Sequence, residues 1–513
     1  MNLMDKAIAY VSPQAGIKRA FARKTVESLN SGYSHYGASD SKKSVVSWDS
    51  ESLSSDEDIN ENIESLRERS RDLYYGAPIA TSAIKTVRTN VVGSGLKCKP
   101  KINYKYLGMS EEQAREWEDK TEFEFKLWAE SVHCDAQRQN NLYELQQLAF
   151  MSWLMNGETL AVLPMIKRIQ LPYDLRVMLI ESDRLVTPPG MLKDNVSAGI
   201  ETGSYGEIIA YHIANKHPKG KNSFDVKYKR IEKYGKKSGR INILHLMESE
   251  RIGQTRGIPF LAPIIIPLKQ LARYTEAEID AAVVSSFFTV FIENKTVQES
   301  GAFGQSDGVY TNDDDDTEED DEPVNLKLGP ASVIELEEGQ SVKEANPSRA
   351  NNGFDSFVDA VCTQMGAALE IPKDVLLKTF NRSYSASRAA MLEAWKMYKM
   401  RRNWLANDFC QPIYAEFLFE AIAKGRITAP GFLTDMAIRK AYCGAEWSGP
   451  AQGQIDPLKE VVAAEKRVNN GFSTRTQETL ELTGGDFKTN VAAAKMENQL
   501  MIEAGLKEGD SAK

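Results

Sequence analysis

Five histidines, His35, His133, His212, His217 and His245, are the side chains best suited to hold a metal or move a proton near neutral pH. No two stand four residues apart on one helical face. Each reads as a packing or surface residue. The five cysteines, Cys98, Cys134, Cys362, Cys410 and Cys443, are odd in number and widely separated. They offer neither the close spacing of a zinc site nor an even disulfide framework, and read as buried free thiols in a reducing cytoplasm. Gly235-Lys-Lys-Ser238 resembles the end of a phosphate-binding loop but lacks its upstream glycine. Gly32-Tyr-Ser-His-Tyr-Gly37 comes near a hydrolase elbow, yet lies in a serine-rich stretch. Carboxylates abound without an assignable acid/base pair. The sequence offers no catalytic constellation and no cofactor motif.

Three charged features stand out. Nine of the ten residues from Asp313 to Glu322 are acidic and account for the whole net charge of −9. Such a run reads as a self-repelling loop able to meet a basic partner. Lys396, Lys399, Arg401 and Arg402, interleaved with Tyr398 and Trp404, form a basic patch that either touches phosphate or makes salt bridges on a solvated helix. Arg251-Ile-Gly-Gln-Thr-Arg-Gly-Ile-Pro259 joins strand to helix as a tight turn with charged anchors. With 63 basic against 72 acidic residues, a uniformly basic nucleic-acid coat is excluded.

The elements that must position these features can be placed from periodicity. The 513 residues are 42% hydrophobic and 26% charged, a globular composition long enough for about three to four domains. Residues 28–58 hold eleven serines, too polar to order themselves. Helical spacing runs from Ile59 to about Asn90, a capping box opens at Ser110 with Gln113, and a further helix covers Leu142–Met155. Short strand-like runs begin at Thr159, Leu175, Ile208 and Ile241, making an α+β unit. Helix is expected for roughly 25 residues after Pro267, strands at Asn325–Leu328 and Ser332–Leu336, and helix again at Phe354–Leu369. A long helix from about Ser387 should kink at Pro412. Caps at Asp456-Pro457, Thr474 and Asp486 announce three short C-terminal helices. The longest apolar stretch, Ala281–Ile292, is interrupted by Ser285, Ser286 and Thr289 and falls short of the ~20 residues of a membrane span.

The stretch from His245-Leu-Met to Arg251-Ile-Gly-Gln-Thr-Arg-Gly-Ile-Pro-Phe-Leu-Ala-Pro263 resembles the lambda-type portal proteins of tailed bacteriophages. Leu66-Arg-Glu-Arg-Ser-Arg-Asp-Leu73, Val91-Val-Gly-Ser-Gly95, Ile180-Glu-Ser-Asp-Arg-Leu185, Gly199-Ile-Glu201, Ala210-Tyr-His-Ile213 and His217-Pro218 resemble the family in the same order. Tyr384-Ser-Ala-Ser-Arg-Ala-Ala390 and Gln452-Gly-Gln-Ile-Asp-Pro-Leu-Lys459 extend the resemblance to about residue 470. After Leu73 the chain departs from the family with Tyr-Tyr-Gly, and the acidic insertion is its own.

The resemblance implies a ring, usually of twelve subunits, at one capsid vertex. Through its channel a terminase motor packages double-stranded DNA without sequence specificity, and the DNA later leaves. The implied fold is α+β and portal-like. A flexible arm (1–58) precedes an α+β wing (59–257), a first stem helix (258–292) and a small α/β clip (293–350). A second stem helix (351–371) and a tunnel loop (372–387) follow, then a long kinked helix connecting wing and crown (388–454) and a helical crown (455–513). It puts Lys378, Asn381, Arg382, Tyr384 and Ser385 in a DNA-facing tunnel loop. The carboxylates Asp313, Asp314, Asp315, Asp316, Glu318, Glu319, Asp320, Asp321 and Glu322 fall in a partner-facing clip loop. The expected partners are further copies of the chain, the terminase large subunit, head-tail connector proteins and the major capsid protein, with no membrane, metal, cofactor or enzymatic activity. The expected location is the virion, after assembly in the host cytoplasm. A passive conduit agrees with the charge balance, because many phosphate contacts would stall moving DNA. The competing readings are a metal-dependent nuclease or other hydrolase, and a non-channel capsid or tail scaffold.

Overall fold

The computed structural model describes residues 14, 18, 52–191, 193, 195–221, 225–286, 290–294, 340–344, 353–380, 383–453 and 456–506. The chain divides into two units, Met1–Asp58 and Ile59–Lys513. The acidic segment, the two expected strands between residues 325 and 336, and all but a few residues of the 1–58 arm lie outside the described residues.

Two helices open the described chain, α1 (Ser55–Gly76) and α2 (Pro78–Val91). The single helical run expected to Asn90 is therefore broken. Pro78 has no N–H to continue α1, and its fixed φ suits the first turn of α2 instead. Gly93 and Gly95, both at positive φ, turn the chain into β1 (Lys97–Pro100). The capping box at Ser110 opens α3 (Glu111–Ala129), with Ser110 and Gln113 bonding reciprocally. A second box, Asn141 with Glu144, opens α4 (Leu142–Asn156).

The β region forms two antiparallel sheets. One has the order β3-β2-β8, built from β2 (Glu158–Val162), β3 (Met178–Ile180) and β8 (Ile243–Met247). The other runs β4-β5-β6-β7, from β4 (Val196–Ser197), β5 (Ile200–Thr202), β6 (Ile208–Ala214) and β7 (Tyr228–Glu232). A small core of Leu160, Ile180, Leu185, Ile200, Tyr211, Ile213 and Ile243 joins them. All but Leu185 and Ile200 are apolar positions of the strand-like runs, which is why those runs were readable.

Helix α5 (Ile265–Ser286) and helix α6 (Phe354–Ala368) pack together, with Tyr274 stacking edge-on against Phe357 at 5.0 Å. The expected first stem helix to 292 ends earlier. Val290–Asn294 is strand β9, paired antiparallel with β10 (Gln340–Glu344). Thr289, Val290 and Ile292 are β-branched, so the end of that apolar stretch favours extended backbone.

A short helix α7 (Lys373–Leu377) precedes α8 (Tyr384–Leu405), so the loop expected over 372–387 narrows to 378–383. Pro412 acts as expected but upstream of itself. A five-residue π segment, Ala406–Cys410, absorbs the misfit, and Pro412 sits in the first turn of α9 (Gln411–Ala423). After α10 (Met436–Tyr442), β11 (Ala445–Ser448) pairs with β1 across the whole domain, Cys98 opposite Trp447. The main core thus unites residues assigned separately to wing and long helix. Phe125 and Trp128 of α3 meet Phe417 of α9 at 5.1 and 5.5 Å, and Tyr173 stacks on Phe417 at 4.7 Å.

The C-terminal helices α11 (Pro457–Asn469), α12 (Arg475–Thr483) and α13 (Phe487–Glu503) start at the three expected caps, Asp456, Thr474 and Asp486. Gly484, at φ 70°, ends α12. Among the described residues no helix is long and apolar enough to cross a membrane. Four cysteines are buried as expected, whereas Cys443 is only half-buried.

Candidate functional site

Helix α7 is anchored to the domain just ahead of α8. Asp374, Val375 and Leu376 are buried and hold α7 down, and the Ser82 hydroxyl of α2 donates to the Leu376 carbonyl at 2.9 Å. The chain then reverses through Lys378, at φ 56°, and leaves Lys378, Thr379 and Phe380 exposed. Ser385, in the first turn of α8, is exposed as well. Lys378 and Ser385 are thus both exposed, one at the end of α7 and the other at the start of α8. Tyr384 opens α8, while Asn381 and Arg382 lie outside the described residues.

The basic patch on α8 dissolves on inspection. Lys396 pairs with Glu393 at 2.6 Å and Lys399 with Glu481 at 3.2 Å, both on the surface. Arg402 turns inward and donates to the carbonyls of Asn90, Val91 and Pro450, and burial lowers its pKa to about 10. Arg401 is 6% exposed, pairs with Glu248 at 3.3 Å and stacks over Phe260 at 4.5 Å. These arginines tie α8 to the rest of the chain. They present no surface to phosphate, because position along the sequence did not reveal which helix face is buried.

The strongest constellation was not read as one. Glu158 begins β2, immediately after Gly157 ends α4 in left-handed conformation, and its side chain is fully buried. Its Oε1 accepts from Arg67 Nη2 at 2.5 Å and from Arg256 Nε and Nη2 at 2.8 and 2.6 Å. Its Oε2 accepts from His245 Nε2 at 3.0 Å and from the Gly257 amide at 2.9 Å. The outer edges of both guanidinium groups are also used. Arg67 Nε donates to the Asn156 carbonyl at 2.9 Å, and Arg256 Nη1 to the Ala198 carbonyl at 2.5 Å. Burial pushes the Glu158 pKa up, but Arg256, Arg67 and His245 outweigh it and hold the carboxyl well below the usual range.

This cluster has no room for chemistry, since both carboxylate oxygens are saturated by protein donors. Its effect is mechanical. It fastens α1, β2, β8 and the loop 251–259 to one point, and that loop runs through Pro259 and Ala262 into α5. His245 is thus a packing histidine, as expected. The charged anchor foreseen in the loop is Arg256; Arg67 and Glu158 were missed, being 91 residues apart.

One grouping has the composition of a metal site: Glu181, Asp183 and His217. Arg71 Nη1 already bridges the two carboxylates, at 3.2 Å from Glu181 and 2.5 Å from Asp183.

Comparison with known proteins supplies what the geometry alone does not. A family model described as phage portal protein, lambda family, matches residues 41–402. The chain is 24% identical over 500 residues to "Portal protein B" of Escherichia phage lambda, covering 93% of this chain and 91% of that protein. It is also 24% identical over 484 residues to the "Portal protein" of Escherichia phage N15, with 90% and 88% covered. Among solved structures, a chain from "Virion of native gene transfer agent (GTA) particle" aligns at a TM-score of 0.44 and 13% identity, over 82% of this chain and 92% of that one.

Proposed function

The chain belongs to the lambda family of phage portal proteins, and from that premise we propose how its parts serve a channel. A portal protein of a tailed phage is a structural component of the virion, not an enzyme, and its role lies in genome packaging. The observation that carries the assignment is the extent of the match, which spans both sheets, the α5–α6 pair and most of α8.

The reading is a closed ring of about twelve copies at a capsid vertex, in which DNA moves in during packaging and out during ejection. The domain through β8 is the wing and the α5–α6 pair the stem. The β9–β10 ladder is the base of the clip, and α11–α13 are the crown. The turn flanked by Lys378 and Ser385 faces the DNA, supported by its exposure between two anchored helices. The acidic segment faces the terminase large subunit or a connector protein, and the wing faces the major capsid protein. Assembly takes place in the host cytoplasm. The Glu158 cluster holds the stem at a fixed angle to the wing, so that all copies meet the same ring geometry.

Electron microscopy of the purified chain tests this directly. Rings with an axial hole and about twelve-fold symmetry are expected. Monomers or shell fragments across a range of salt would refute it.

A further inference from the structure

A groove runs along the junction of wing, stem and long helix, in two adjoining sections of about 700 and 610 Å³ that share Ala367, Glu370 and Met400. Its floor is apolar, with Trp153, Phe260 and Met400, and Ala367 and Ala368 leave the end of α6 open to close approach. The rim of the 700 Å³ section is acidic: Glu248, Glu250 and Glu370 stand against the single guanidinium of Arg401, which is buried and paired with Glu248 at 3.3 Å. In the 610 Å³ section Lys396 pairs with Glu393, and Lys373 pairs with Asp359.

The same chain carries a face of matching character. Helix α5 buries Ile265, Leu268 and Leu271 and no described residue beyond them. Ile266 is 67% exposed, and Lys269, Gln270 and Arg273 follow it on the exposed side at helical spacing. Neither Lys269 nor Arg273 forms an ion pair with the described residues of its own chain. Three carboxylates against one guanidinium leave the 700 Å³ section short of two positive charges, and this face brings two.

We infer that the groove receives the Ile266–Lys269–Arg273 face of α5 from a second copy of this chain. Ile266 covers the apolar floor, and Lys269 and Arg273 answer Glu250 and Glu370. Because groove and face are different surfaces of one molecule, the contact is head-to-tail, and such a contact closes into a ring when its rotation permits. The inference rests on the ring reading above and adds the residues through which neighbours meet.

The test uses the full chain. The double variant Lys269→Glu/Arg273→Glu and the double variant Glu250→Lys/Glu370→Lys are each expected to reduce ring yield at least tenfold at low salt, with unchanged circular dichroism. Combining all four substitutions should restore rings. In wild-type-like rings assembled from mixed Gln270→Cys and Ala367→Cys chains, oxidation should give dimers joining one chain of each kind. Intact rings in both reversal variants, no rescue on combination, or the absence of mixed dimers on oxidation would each overturn the groove contact. If the unaltered chain makes no rings at all, the ring reading fails first and takes this inference with it.

Discussion

Gly157 and Gly257 meet backbone to backbone: a Cβ placed on Gly257 would stand 2.1 Å from the carbonyl oxygen of Gly157. The contact presses the end of α4 against the loop that leads into α5. It also places the Gly257 amide on Glu158. Replacing Gly257 by Ala should therefore lower the melting temperature, by roughly 1 °C per kcal/mol lost in a chain of 513 residues. Thermal unfolding by circular dichroism reads the change, and an unaltered transition would show that the loop yields freely.

Arg256→Ala should be more damaging. Removing one partner of a buried pair typically costs about 3–5 kcal/mol, since the remaining charges stay desolvated. Arg67 then holds Glu158 alone among the arginines. Denaturant titration should show a lower midpoint, whereas Lys396→Ala, whose pair is on the surface, should change stability by no more than about 0.5 kcal/mol.

The acid response follows from the depressed Glu158 pKa. Its contribution to stability is complete above the unfolded carboxylate pKa of about 4.3, and it is lost as the pH falls through the lower folded value. A Glu158→Gln variant has no such group to titrate. The difference in melting temperature between the two chains should therefore be largest near pH 6–7 and shrink below about pH 4. A difference that stays constant with pH would remove the carboxylate from the explanation.

Much of this architecture was legible where the deciding interaction is local. Ser110 with Gln113, Asp456 before Pro457, and Gly484 before Asp486 mark helix ends within four residues, and all three mark real ends. The Glu158 cluster was not legible because its members, Arg67, Glu158, His245 and Arg256, meet only once α1, the paired strands β2 and β8 and the loop after β8 have come together. Arg401 and Arg402 misled for the converse reason. Adjacent basic residues look like a patch until the packing of α8 buries Arg401 and turns the half-buried Arg402 onto backbone carbonyls. The broken stretch at Gly76–Pro78 shows the limit of periodicity, which continues on either side of a proline that the backbone cannot ignore.

Deleting Asn381–Ser385 should leave ring formation intact while reducing DNA packaging or retention. Packaging assays with purified rings read this, and full packaging would move the DNA-facing role elsewhere.

Replacing Asp313–Asp316 and Glu318–Glu322 with Ser and Gly removes nine negative charges per copy. Rings should still form, while association with the motor or connector slows and loses its salt dependence. Failure to assemble would make the segment part of the ring's framework.

The β1–β11 clasp has a consequence for how the chain is made. Cys98 cannot find Trp447 until the ribosome has released both, about 350 residues apart. At ~5–20 residues per second that interval is roughly 20–70 s. Throughout it, Phe125, one of the aromatic residues that Trp447 covers, stands at an unfinished core. A chain that stops before residue 445 lacks the strand that pairs with β1, and its β1 edge and the aromatic core beside Phe125 stay open.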